Sequence, residues 1–248
     1  MAAFHLGIQL YTVRDVCAKD FKGTLKALAA MGYQGVEFAG DYGKLDPKEL
    51  AAFLKESKLV AAGMHVSLAD IQDSNSPSYQ YAKAIKSPFL TTSLCGQVGP
   101  QWKQTIAEVA KAGAVAKAQG LVFTYHNHAQ EFQLVDGKIA QDMMFEQTDR
   151  GAVSFELDTY WIKAGGQDPI AYINKFAGRV PQVHLKDMDP VDRTFTEVGA
   201  GLMDLPAIFA ASKKAGAQWI IVEQDTCKRL SIDSARISAT NLKKTGLI

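Results

Sequence analysis

Phe123-Thr124-Tyr125-His126-Asn127-His128 is the stretch on which the reading of this chain turns. It has the form of a β-strand that runs out into polar rings. Side chains alternate faces along a strand, so Thr124, His126 and His128 point the same way. A lone pair of imidazoles on one strand face is usually a satisfied core or surface pair. The distribution of histidines argues for more. The chain has five, and His65, His126, His128 and His184 each stand where an apolar run ends. Scattered surface histidines would not fall that way, whereas strand ends converging on one place would.

Working outward, apolar runs of strand length recur at 6–11, 35–38, 60–65, 89–92, 123–128, 153–158, 183–186 and 219–225. Helix signals separate them. Asp20 precedes Leu25, Leu28 and Met31 at helical spacing, and Gly32 stops the run. Asp46-Pro47-Lys48-Glu49 has the order of a capping box, with Asp at N-cap, Pro at N1 and Glu at N3. Residues 101–119 make the strongest helix, with Trp102, Ile106, Val109, Ala110 and Ala114 on its apolar face. Asp168-Pro169 and Asp204-Leu205-Pro206 start two more, and the tail from Ser231 is helical. After the fifth strand, Asp136-Gly137 between short apolar runs predicts a small inserted hairpin.

Eight strand-then-helix units thus fill the 248 residues without a linker. Regular alternation argues a parallel sheet, and about 250 residues is the usual size of a (β/α)8 TIM barrel. The expected architecture is one such domain over residues 1–248. The rival, a doubly wound open sheet, lacks the Gly-rich turn after its first strand. Gly199-Ala200-Gly201 comes late, has no third glycine at the right offset, and reads as a flexible loop.

Composition narrows the function. The chain is 47% hydrophobic and 21% charged, with 27 basic against 26 acidic side chains and a net charge of +1. That balance speaks against nucleic acid or an anionic membrane as a partner. No apolar run reaches transmembrane length. No basic region followed by a long apolar segment opens the chain, so the expected location is the cytoplasm, with an export signal already removed as the alternative. Cys17, Cys95 and Cys227 are far apart and form no CxxC pair, so they are expected to be small buried hydrophobes.

In a (β/α)8 barrel the chemistry sits at the C-terminal ends of the strands. This chain puts Gln9, Tyr11, Glu37, His65, His126, His128, Asp158, His184, Lys186 and Glu223 there. Inward-facing charges are costly unless paired or bound to a metal. The set is rich in imidazole and carboxylate and free of Cys, which suits one divalent ion, Mn, Co, Zn, Fe or Mg. Glu156 lies deeper than Asp158 and is expected to buttress a ligand from behind. Asp187 faces away from His184 and is expected to stabilise a loop.

The ordered segments Gly35-Val36-Glu37, Tyr125-His126-Asn127-His128, Leu157-Asp158-Thr159, His184-Leu185-Lys186-Asp187, Glu197-Val198-Gly199-Ala200-Gly201 and Val222-Glu223 resemble the sugar phosphate isomerase/epimerase superfamily of xylose-isomerase-like barrels. Members hold one divalent metal through a Glu at strand five, an Asp at strand six, a His at strand seven and a Glu at strand eight. The resemblance implies Asp158, His184 and Glu223 as ligands. It departs at strand five, where His126 replaces the family Glu and stands in for the missing ligand, the missing base, or both. Trp161 stands where relatives often carry a substrate-binding His, to stack on a sugar or close the rim. The Tyr-His-Asn-His subgroup also resembles barrels proposed to cleave 3-keto-glycosides.

The leading expectation is a metal-dependent isomerase or epimerase of a sugar or polyol. Glu223 and His126 would exchange the proton α to a carbonyl through a metal-stabilised enediolate. His65, His128, Lys186, Trp161, Glu37 and Gln9 would bind the substrate. The alternative is a lyase, dehydratase or hydrolase acting on a keto-sugar or 3-keto-glycoside, which needs one base and one acid. A DNA-repair endonuclease would need a basic groove, and a sugar-binding barrel without catalysis would need fewer charges. The expected partner is a small carbohydrate, with a homodimer as the expected assembly.

Overall fold

A closed ring of eight parallel strands frames the computed structural model, which describes residues 4–94 and 98–246. The strands are β1 (His5–Gln9), β2 (Gly35–Phe38), β3 (Val60–His65), β4 (Phe89–Thr92), β5 (Val122–His126), β6 (Val153–Asp158), β7 (Gln182–Leu185) and β8 (Trp219–Val222). They pair in sequence order, and β1 closes the ring against β8 with Ile8 level with Val222. This is the (β/α)8 barrel that the alternation predicts. Among the described residues no helix is long and apolar enough to cross a membrane. Cys17 is buried and Cys227 half-buried, while Cys95 lies outside the described residues.

The helices start where their capping residues say. The Asp20 carboxylate accepts from the Gly23 N–H, and helix Phe21–Met31 ends at Gly32, whose φ of 102° only glycine adopts readily. Asp46 and Glu49 form the full capping box of Pro47–Glu56. Asp168 and Asp204 cap Pro169–Lys175 and Leu205–Ala215. Helix Trp102–Ala118 buries Trp102, Ile106 and Val109 as expected, but Ala112, Gly113 and Ala116 continue the face in place of Ala110 and Ala114. The reason is close approach: a Cβ on Gly113 would stand 2.7 Å from the Ala152 carbonyl oxygen.

The inserted hairpin pairs Leu134–Val135 with Lys138–Ile139. Asp136 and Gly137 both take positive φ, 51° and 77°, as a two-residue turn of this hand requires. A second hairpin, unforeseen, pairs Asp187–Met188 with Phe195–Thr196. The Gly199–Gly201 loop is not slack. Asp187 accepts backbone N–H bonds from Met188, Gly199, Gly201 and Met203, which ties the loop to the end of β7.

Two layers fill the barrel below its mouth. Ala62, Phe89, Trp219 and Ile221 form an apolar plug towards the strands' N-terminal ends. Gly35 makes room for it, since a Cβ there would stand 2.5 Å from the Trp219 ring. Above it runs a polar thread. The Thr91 and Thr124 hydroxyls lie 2.7 Å apart, Thr124 donates to Gln182 Oε1, and Gln182 Nε2 donates to Glu37 Oε1 at 3.0 Å.

Candidate active site at the barrel mouth

Alternation along each strand carries side chains upward on the inner face. β5 thus delivers Thr124 and then His126, β6 delivers Glu156 and Asp158, and β7 delivers Gln182 and His184 with Lys186 just beyond. β2 supplies Glu37, β3 ends in His65, and Glu223 follows β8. The four predicted strand-end histidines meet. The His126 ring lies 5.3 Å from that of His65, 5.0 Å from His128 and 4.6 Å from His184. His65, His126 and His128 border a cavity of about 380 Å³, within the usual range for a small-molecule site, with His184 beneath them. Gln9, Tyr11, His65, His126, His128, Lys186 and Glu223 line it as expected.

Charge is concentrated on one wall. Lys186 Nζ stands 3.1 Å from Asp158 Oδ2, 2.9 Å from Glu223 Oε2 and 2.7 Å from Asp225 Oδ1. Burial disfavours its charge, but the three carboxylates outweigh that and hold its pKa above the usual lysine value. His126 Nε2 lies 3.3 Å from Asp158 Oδ2, and its Nδ1 is buried with no hydrogen-bond partner among the described residues. Burial, then the neighbouring His184, His128 and Lys186, pull the His126 pKa well below the usual histidine value. His128 is drawn down to about 4 by burial and Lys186. Both rings are therefore neutral near pH 7. Burial raises the Glu223 pKa, but Lys186 and His184 overcome this and hold it well below the usual carboxylate range. Burial pushes Asp225 up to about 6 despite Lys186, with Glu223 adding to the rise.

Two groups of four side chains bring one donor atom each within 4.8 Å of one another: His126, Asp158, His184 and Glu223, and beneath them Glu37, His65, Glu156 and His184. His184 belongs to both. Its Nδ1 lies 2.8 Å from Glu223 Oε2, and its Nε2 lies 2.6 Å from Glu37 Oε2 and 3.3 Å from Glu156 Oε1. The upper group reaches the cavity through His126 and Glu223 and mixes imidazole with carboxylate, a donor set that fits a borderline divalent ion.

Some residues stand elsewhere than expected. Glu37 is fully buried beneath the lining. Glu156 lies deeper than Asp158, as strand alternation predicts, and its Oε2 meets His65 Nε2 at 2.8 Å. Trp161 does not border the cavity. Helix Thr159–Ala164 starts directly after β6, with Asp158 Oδ1 accepting the Trp161 N–H, and this turn carries the indole behind the wall. There the Trp161 ring packs 5.2 Å from His128 and 5.6 Å from Phe195.

Two residues escaped the sequence reading. Asp225 lines the cavity, and its spacing of two from Glu223 was the available signal. Buried Glu131 accepts from the Tyr125 hydroxyl and the His128 N–H, which anchors the chain after β5. No periodicity points to it.

Residues 25–244 match the family model described as xylose isomerase-like TIM barrel. Inosose dehydratase of Lacticaseibacillus casei is 25% identical over 252 residues, covering 84% of this chain and 84% of that protein. Inosose dehydratase of Clostridium beijerinckii is 29% identical over 143 residues, covering 50% of this chain and 47% of that protein, about half of each. Among solved structures, a sugar phosphate isomerase/epimerase from Parabacteroides distasonis ATCC 8503 superposes with a TM-score of 0.85 at 21% identity, over 100% of this chain and 96% of that one. An IolI protein with a bound zinc atom superposes with a TM-score of 0.77 at 15% identity, over 98% and 97%.

Proposed function

The chain belongs to the xylose isomerase-like TIM barrel family, and from that premise we propose that this sugar-modifying enzyme is a dehydratase or lyase. Its substrate is a keto-polyol or keto-sugar, and it works by removing the proton α to the carbonyl and then expelling a β-substituent. The observation that carries the reading is the pairing of Asp158 with His126. With Nε2–H donated to Asp158, the neutral ring keeps its lone pair on Nδ1, which has no partner among the described residues. That is the arrangement of an oriented general base. His126 accordingly serves as base, and Asp158, His184 and Glu223 remain as a three-ligand set of the kind that leaves a coordination position open. A divalent ion held there would act as a Lewis acid on the substrate carbonyl.

The chain's own groups supply the rest. The Lys186 ammonium places fixed positive charge beside the cavity, where the enolate oxygen develops. Asp225, with its raised pKa, keeps a proton for the departing hydroxyl in mildly acid solution. His65 and His128 border the cavity as hydrogen-bonding groups for substrate hydroxyls. The carbon–hydrogen bond breaks towards His126, its electrons form the carbon–carbon double bond, and the leaving oxygen takes its proton from Asp225. An aldose–ketose isomerisation would share the first step and the same base. What favours elimination is Asp225 as a proton donor distinct from the base, together with relatives named inosose dehydratase.

The test is to incubate the divalent-ion-loaded enzyme with an inosose in D2O and follow it by NMR and ultraviolet absorption. Elimination yields an unsaturated or dicarbonyl product with loss of water. Deuterium at a ring carbon without loss of water would select isomerisation instead. His126→Ala is expected to lower turnover by about 10²–10⁴-fold, the range for a general base. Unchanged turnover would remove His126 from the chemistry.

A further inference from the structure

We propose that Glu37 is a positioning residue: it fixes which nitrogen of His184 faces the ion, and touches neither ion nor substrate. The proposal rests on the reading in which Asp158, His184 and Glu223 hold a divalent cation.

An ionised carboxylate offers about four lone-pair positions. Glu37 Oε2 meets His184 Nε2 at 2.6 Å, Gln9 Nε2 at 2.8 Å and His65 Nε2 at 3.3 Å, and its Oε1 accepts from Gln182 Nε2 at 3.0 Å. Three donors crowd one oxygen, one reaches the other, and the residue is fully buried, outside the cavity lining. Burial keeps it from a sugar hydroxyl.

The same contacts decide which nitrogen is left to an ion. An imidazole donates from both nitrogens when protonated and from one when neutral. Glu37 holds the Nε2 proton at 2.6 Å, and Nδ1 donates to Glu223 Oε2 at 2.8 Å, so the proton that an ion beside Glu223 would displace is the one on Nδ1. A ligand histidine is commonly oriented in this way, by a carboxylate on its other nitrogen. Glu37 is itself held from both sides. Gln9 on β1 uses its carbonyl on the Tyr11 N–H and its amide on Glu37, and Gln182 reaches across from β7. Gly63 is part of the device, because a Cβ there would stand 2.4 Å from Glu37 Oε1 and 2.8 Å from Gln182 Nε2.

The experiment is a Co²⁺ titration of the metal-stripped full-length chain, read by visible absorption, for wild type, Glu37→Gln and Glu37→Asp. Glu37→Gln keeps the size and removes the charge, and is expected to raise the Co²⁺ dissociation constant about 10–100-fold. Stoichiometry should stay at that of wild type, and KM for a keto-sugar at saturating Co²⁺ should be unchanged. In the Zn²⁺-loaded protein the His184 Nε2 proton resonance should move upfield in the variant. Glu37→Asp keeps the charge but pulls it back from the ring, and carries the test if the glutamine variant does not fold. Wild-type Co²⁺ affinity with a raised KM would make Glu37 a substrate ligand and overturn the proposal. Loss of one bound ion per chain would make it a metal ligand, with the same result. A lowered melting temperature with unchanged Co²⁺ affinity would leave only a packing role. A wild-type chain that binds no Co²⁺ would overturn the ion reading itself, and this inference with it.

Discussion

Lys186 serves three carboxylates from a fully buried position. Removing one partner of a buried charge pair costs about 3–5 kcal/mol, because the other is left uncompensated. Lys186→Met is therefore expected to destabilise the metal-free protein by an amount of that order, measured by urea unfolding. A divalent ion held by Asp158 and Glu223 would neutralise the same carboxylates, so on that proposal Zn²⁺ should raise the melting temperature of the variant more than that of wild type. Equal shifts would separate the ammonium from the ion-binding carboxylates. His65 gives a pH signature. Burial lowers its pKa, but Glu156 and Glu37 prevail and lift it from the ordinary 6.5 to about 10. A raised histidine pKa stabilises fully below the unfolded value and loses that contribution as pH climbs through the folded one. The metal-free protein should therefore weaken between pH 6.5 and about 10, and His65→Asn should flatten that slope in denaturant melts. Most of these residues were legible because strand alternation is a strict rule and marks every second side chain. Trp161 was not, because a helix that starts without a spacer rotates its first turn away from the mouth.

At the scale of elements, the register between β2 and β3 shifts between Val36 and Glu37, so Val36 pairs with Ala61 and Glu37 with Gly63. Ala62 is the extra residue of this bulge, and its carbonyl accepts from Gln182 Nε2 at 3.2 Å. The bulge brings Gly63, with no side chain, beside the Glu37 carboxylate. A bulge leaves no mark in hydrophobic period, which is why the sequence predicted β3 but not its irregularity. The second hairpin was hidden for a related reason: Asp187–Met188 and Phe195–Thr196 are two residues each, too short to show alternation. Caps behave oppositely. Asp20, Asp46, Asp168 and Asp204 are local signals, and the helices begin beside them. Glycine at a strand's inner face can be tested directly. Gly35→Ala would press a methyl against Trp219 and against the Val60 carbonyl 3.0 Å away. Overpacking of this kind costs about 1–3 kcal/mol, and the urea midpoint should fall accordingly. An unchanged midpoint would mean that the plug of Trp219 and its neighbours yields freely.

For the whole molecule, the closed ring has a consequence in time. β1 lies between β2 and β8, so the first strand made waits for the last. Until Trp219–Val222 leaves the ribosome, the growing sheet has two open edges, each able to pair with a neighbouring chain. Pairing between strands so distant in sequence is the slow part of folding, since the whole intervening chain must be ordered first. The proposed ligands come from the end of the same calendar: Asp158 closes β6, His184 lies in β7 and Glu223 follows β8, while Glu37 waits in β2. With that ligand set the nascent chain would have no complete binding site to offer a metal until its last barrel strand had been born, and an ion would act only as a latch on a ring already shut.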